Sequence, residues 1–160
     1  MFEMPEHDGF RDDEIIAEIY CHIIFWTRQL QPALSPDMLA GACEVMDQAM
    51  FAVAGEALGA GGTENHLHFL VRMSPDHTLA EVLDVLRARS AAWVAEARGK
   101  GDFCWSESEV AVSISLDELS AAREFIERQA SHHEIVTFQI ELKAIFEEHG
   151  FDYDPRELFD

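Results

Sequence analysis

Apolar residues recur along this chain with two periods, and the switches between them mark out its elements. Ile19 to Thr27 (IYCHIIFWT) is dense in β-branched and aromatic residues and predicts a central strand. At Ser35-Pro36-Asp37 the period lengthens. Ser35 suits an N-cap and Pro36 the first helical position. The helix should run to about Ala52, burying Leu39, Cys43, Met46 and Met50 on one stripe. His66 to Met73 returns to strand composition, with Gly61 and Gly62 punctuating its start. The preceding residues 55–61 read equally as a helix end, a loop or a short strand forming a hairpin with the histidine strand.

Beyond Met73 the helical period dominates. Thr78-Leu79-Ala80-Glu81 is a capping-box pattern opening a helix to about Ala97, with Leu79, Val82, Leu86 and Trp93 as its expected buried face. Ala111 to Ser115 alternates and predicts a strand. Ser115-Leu116-Asp117-Glu118 repeats the capping box and starts a helix through about Ala130. A last helix covers roughly Phe138 to Glu148 and stops at Gly150, a C′ residue, and the tail to Asp160 carries aromatic anchors. Strands alternating with helices around a small sheet predict an α+β sandwich of ferredoxin-like type, an antiparallel sheet with helices packed on it.

Composition narrows the setting. With 160 residues, 48% of them hydrophobic, the chain can bury one sizeable core. Residues 1–14 hold Glu3, Glu6, Asp8, Asp12, Asp13 and Glu14, so 1–18 reads as an acidic leader and 19–160 as a single domain. No apolar run reaches membrane-spanning length, and the acidic start lacks the basic region of a signal peptide. Cys21, Cys43 and Cys104 have no ligand-like spacing and suit reduced thiols in a cytoplasmic protein.

The formal charge of −20 is the most unusual global property. A field of that sign repels phosphate backbones, which binding proteins neutralise with clustered Lys and Arg. Solubility, an acid- or salt-adapted host, or a basic protein partner would each explain it as well. Only the stretch from Arg72 to Lys100, with Arg87, Arg89 and Arg98, is not acidic, which makes Arg72, Arg87 and Arg89 the candidate nucleic-acid contacts.

Chemistry concentrates at Asn65-His66-Leu67-His68. Alternate residues of a strand share a face, so the two imidazoles point the same way, roughly 7 Å apart by strand rise. They can converge on one metal ion, or they can be two half-buried histidines satisfied by hydrogen bonds.

Four stretches resemble the single-tyrosine HUH transposases of small insertion sequences and their relatives associated with repetitive extragenic palindromes. His22 to Arg28 (HIIFWTR) is similar to that family's first strand, and Asn65 to Val71 (NHLHFLV) to its metal strand. Ala111 to Ser115, preceded by Trp105, is similar to a later strand, and Phe125 to His133 (FIERQASHH) to its nucleophile helix. The resemblance covers about Ile19 to the end and implies an HUH transposase-like fold. It implies cleavage and rejoining of single-stranded hairpin DNA through a 5′-phosphotyrosine, by a homodimer. The metal ligands it implies are His66, His68 and Gln129, holding Mg²⁺ or Mn²⁺. His132 and His133, three and four residues after Gln129, read either as supporting or replacement ligands or as surface histidines at a helix end, and Asn65 reads as a support for the pair.

Phe125 stands where the family has its tyrosine, and a phenyl ring has no oxygen with which to attack phosphorus. Tyr20 and Tyr153 are the chain's two phenols, and neither matches the family position. Asn65 stands where the family usually has Asp, and Glu107 and Glu109 add charge after Trp105. The readings that follow are a catalytically silent, domesticated relative, an active single-strand transposase or nuclease using another nucleophile or a metal-activated water, and an acidic regulatory module that binds protein.

Overall fold

Residues 15–99 and 101–159 are described by the structure, a computed structural model; residues 1–14 of the expected leader lie outside them. The apolar run at the start becomes β1 (Ile19–Trp26), central in an antiparallel sheet with β2 (Glu56–Thr63), β3 (His66–Met73) and β4 (Val110–Ile114) in the order β2-β3-β1-β4. With α1 (Pro36–Ala49) after β1 and α2 (Leu79–Ala97) after β3, the chain follows the βαββαβ path of a ferredoxin-like sandwich. The stretch that composition left open forms β2, which pairs with β3 along its whole length through a bulge between Ala57 and Gly59. Glycines hid the alternation there.

The pleat separates two faces. Cys21, Ile23, Phe25, Leu67, Phe69 and Val71 face α1 and α2 in the larger core. Ser35 caps α1 by accepting from the Met38 N–H, and Thr78 and Glu81 close a reciprocal capping box on α2. Two expected stripes shift. α1 ends at Ala49, and Met50–Val53 continues as a 3-10 turn. Its buried positions are Ala42, Met46 and Ala49, while Leu39 and Cys43 are only half-buried on the flank. On α2, Ser90 and Val94 join Val82 and Leu86 in the core. Leu79 is exposed at the helix start, before α2 reaches the sheet. Trp93 lies half-buried across the helix pair over Gly41, where any Cβ would meet its ring at 1.9 Å.

The other face carries His22, Ile24 and Trp26 of β1 and His66 and His68 of β3, with Trp26 paired to His66 and Ile24 to His68. Three further helices cover it. α3 (Leu119–Glu127) follows a 3-10 turn at Leu116–Glu118, and the expected single helix to Ala130 breaks at Arg128 (φ −97, ψ 14) before the short α4 (Gln129–His132). α5 (Phe138–Glu148) ends at Gly150 in the left-handed region (φ 68), as its composition predicts. Phe138, Leu142, Ile145 and Phe146 pack on Ile24, Trp26, Val110 and Val112, each such burial worth roughly 1.5–3 kcal/mol. The tail aromatics close this layer, Phe151 against Phe146 and Phe159 against Trp26 and Phe138. Among the described residues no helix is long and apolar enough to cross a membrane.

α3 reaches the sheet only because β2 is nearly bare. A Cβ at Gly61, the residue paired with His68, would lie 2.1 Å from the Ile126 carbonyl oxygen. Gly61→Ala should therefore push α3 off the sheet and lower stability by roughly 1–3 kcal/mol, read as a drop in urea midpoint. Gly101→Ala, with nothing within 4 Å of its Cβ, is the matched control and should stay within about 0.5 kcal/mol.

Candidate metal centre

His66 and His68 project from β3 into the space between the sheet and the three covering helices, and both are fully buried. Phe138 stacks on the His66 ring at 4.1 Å between centroids, which fixes the plane of that imidazole. The break at Arg128 re-aims the chain so that Gln129, also buried, points inward from α4. Its Oε1 lies 2.9 Å from His66 Nε2, and its Nε2 donates to Glu141 Oε1 at 2.8 Å. The three residues singled out in the sequence thus do come together.

Glu141 is the residue that sequence reasoning missed. It is 4% exposed, and its Oε2 accepts from His68 Nε2 at 3.0 Å. A signal was present: Phe138, Leu142, Ile145 and Phe146 define the buried stripe of α5, and Glu141 is a carboxylate inside that stripe. His22 was also given no role, although alternation along β1 puts it on this face. It is buried, and its Nε2 lies 2.7 Å from His68 Nδ1.

The proton inventory shows what the arrangement can hold. The Asn65 amide oxygen lies 2.8 Å from His66 Nδ1, and an amide oxygen only accepts, so Nδ1 carries the proton. Gln129 is held by its own donation to a carboxylate, so Oε1, another acceptor, faces His66 Nε2. Burial, reinforced by the neighbouring His68, pushes the His66 imidazolium down to about 3, so the ring is neutral near pH 7. A neutral ring cannot donate from both nitrogens. His66 Nε2 and Gln129 Oε1 are thus two lone pairs facing each other with no proton between them, and ligand atoms of His66, His68 and Glu141 lie within 4.8 Å of one another, so a divalent cation that displaced the His68 Nε2 proton would be held by these side chains. The residues present fit a divalent metal.

Burial alone would raise the Glu141 carboxyl, but the bond and charge from His68, with the Gln129 amide and His66 beside it, hold it down to about 2. His22 is pushed down to about 3 by burial and by His68.

Other singled-out residues are placed as follows. Asn65 orients His66 through Nδ1. His133 Nε2 lies 2.9 Å from Gln129 Oε1, and His132 stands over Glu141. Phe125 is half-buried with its ring edge-on to His68 at 5.6 Å, and it faces His132 at 5.4 Å and His22 at 6.4 Å. A cavity of about 340 Å³ opens beside it, lined among others by His22, Phe125, His132, Glu141, Glu118 and Glu148. The arginines are elsewhere. Arg72 is exposed on β3 and paired with Glu56 at 2.7 Å. Arg87 and Arg89 belong to α2, on the opposite side of the sheet, and Arg87 is bound to Glu109 and the Ser106 carbonyl.

Acid should loosen the metal-free chain. His22 and His66 bind protons in the unfolded state below about 6.5 but in the folded state only near 3, so their contribution is complete above 6.5 and declines as pH falls through that window. Glu141, near 2 when folded against 4.5 unfolded, adds a loss below about 4.5. In chelator, the urea midpoint should fall continuously from about pH 6.5, by on the order of 1 kcal/mol per pH unit for each histidine. A midpoint unchanged down to about pH 5 would contradict this placement.

Residues 15–129 match the family described as "Transposase IS200 like". Solved structures share the fold. A candidate transposase from Deinococcus radiodurans superposes with a TM-score of 0.58 at 17% identity, covering 74% of this chain and 96% of that one. A REP-associated tyrosine transposase bound to a REP hairpin superposes with a TM-score of 0.54 at 13% identity, covering 80% of this chain and 75% of that one. No curated protein matches the chain. The matched residues include His66, His68, Phe125 and Gln129, whereas His132, His133 and Glu141 lie beyond them.

Proposed function

The chain belongs to the IS200-like transposase family, and from that premise we propose that it is a member which retains the cation pocket and single-stranded hairpin DNA as its partner but has lost covalent strand joining. The observation that carries this is the place of Phe125. Its ring lies edge-on to His68 within the cluster, at the sequence position that the resemblance gives to the family's tyrosine, and it offers carbon alone.

His66, His68 and Gln129, with Glu141 behind them, would hold Mg²⁺ or Mn²⁺. Such an ion supplies charge withdrawal from phosphate oxygens and orientation of the scissile bond. Asn65 keeps the His66 proton on Nδ1, so that Nε2 remains a ligand, and His22 steadies His68 from its other nitrogen. The other phenols do not substitute. Tyr20 donates to Glu18 at 2.6 Å, and Tyr153 is exposed in the tail against Phe146. The free cysteines Cys21, Cys43 and Cys104 suit a reducing cytoplasm. A homodimer is expected for the family, and the β2 and β4 edges are where a second sheet could join.

A protein-binding module is the second reading, favoured by the charge of −20 and by the engagement of Arg72 and Arg87 with carboxylates. Hairpin DNA anisotropy at low salt separates the two, since a regulatory module of this charge should show no binding.

The decisive assay incubates hairpin-bearing single-stranded DNA with Mn²⁺ and either the natural chain or Phe125→Tyr. The natural chain should give no covalent adduct, and the variant should gain a 5′-linked one, seen as a shifted band on a denaturing gel. An adduct formed by the natural chain would refute the proposal.

A further inference from the structure

His132 and His133 are adjacent in sequence, and neighbouring residues of a helix ordinarily diverge. Here α4 is a single turn, and both rings reach the Glu141 carboxylate, His132 Nε2 at 3.5 Å from Oε1 and His133 Nε2 at 3.3 Å from Oε2. His133 Nδ1 lies 2.6 Å from the Val136 carbonyl oxygen, which can only accept, so the proton sits on Nδ1. Its Nε2 therefore directs a lone pair inward, at 2.9 Å from Gln129 Oε1, again an acceptor. His132 Nε2 is a buried atom with no hydrogen-bond partner, because its approach to Glu141 is too poor for one. Three ligand atoms, from His132, His133 and Glu141, lie within 4.8 Å of one another.

We infer that the chain holds a second divalent cation at His132, His133 and Glu141, beside the one assigned to His66 and His68. Glu141 Oε2 faces His68 and His133, and its Oε1 faces Gln129 and His132, so the carboxylate stands between the two groups of ligands and would be shared by both sites. Two imidazoles and a carboxylate select zinc or manganese over magnesium, which prefers oxygen ligands and keeps its water. An entry path exists, since His132 and Glu141 line the 340 Å³ cavity that opens to solvent beside Phe125. The ligands of this second site lie outside the family-matched residues, so it goes beyond the single-ion pocket and shares only Glu141 with it.

The competing account is a proton, with a charged His133 paired to Glu141 and no ion. Metal stoichiometry decides between them. The full chain, stripped with chelator, is titrated with Zn²⁺ and separately with Mn²⁺ by calorimetry, and its metal content after gel filtration is read by mass spectrometry. The natural chain should bind two equivalents. His132→Ala, checked for folding by circular dichroism, should bind one, as should His133→Gln if the first variant fails that check. His66→Ala should also fall to one. A single equivalent in the natural chain, or two retained in folded His132→Ala, would overturn the inference. One equivalent lost in His66→Ala and kept in His132→Ala would overturn it while leaving the family pocket intact. No binding at all would overturn both.

Discussion

A carboxylate sealed from water governs the histidine face. An isolated buried carboxylate carries a penalty of several kcal/mol, so Glu141 requires donors on every side. The chain supplies them from two elements, His68 from β3 and Gln129 from the α4 turn, and His133, just past that turn, packs against the same carboxylate. Those groups are themselves buried or nearly so, and each needs the next. Asn65 holds His66, His22 holds His68, and the Val136 carbonyl holds His133. Removing one member strands its partners, and breaking such a buried pair typically costs about 3–5 kcal/mol. The cluster behaves as a unit, which is also what a metal centre needs: ligands whose geometry is set before the ion arrives.

The rest of the fold exists in part to let that unit close. A sheet face lined with large side chains would hold α3 and α4 too far away for Gln129 to reach β3. β2 removes the obstacle by presenting glycine at Gly59 and Gly61, so the α3 backbone comes down almost onto the strand. The interruption at Arg128 then turns the chain inward. An unbroken helix would have carried Gln129 on along the line of α3. Opposite them, the apolar stripe of α5 anchors on Ile24, Trp26 and Val112 and delivers Glu141 from the other side.

These arrangements were unequally legible in the sequence. Period and capping chemistry are local properties, and they located β1, β3, α1, α2 and α5 to within a few residues. The pairing of His66 with His68 followed from strand geometry, and Gln129 followed from resemblance. β2 was ambiguous because glycine removes the side chains whose alternation identifies a strand, and its pairing with β3 is a tertiary fact. The kink at Arg128 had no local signal, since Ser115 through Ala130 contains neither proline nor glycine. Glu141 was overlooked because a carboxylate in a helix is read as solvated. Only its position between Phe138, Leu142 and Ile145 shows otherwise. A charged residue within an apolar stripe is therefore a more informative signal than a charged residue near a motif, because burial without a partner is not affordable.

On the reading proposed above, Phe125 and the acidity of the neighbouring cavity are best understood together. The ring contacts His22, His68 and His132 through its faces and edges, and none of those contacts needs a hydroxyl. Packing alone therefore accounts for an aromatic residue at this position, and the cluster behind it does not depend on a hydroxyl there. Glu118 and Glu148 line the same opening. In a site that must receive a phosphodiester they would repel it just where the phenol attacks, and in a site that no longer attacks they carry no such penalty. Both features thus relax one requirement, a phosphate placed at the tip of the residue at 125. The imidazoles and Glu141 lie deeper, satisfy one another, and answer to a different requirement, that a buried carboxylate and its donors be complete.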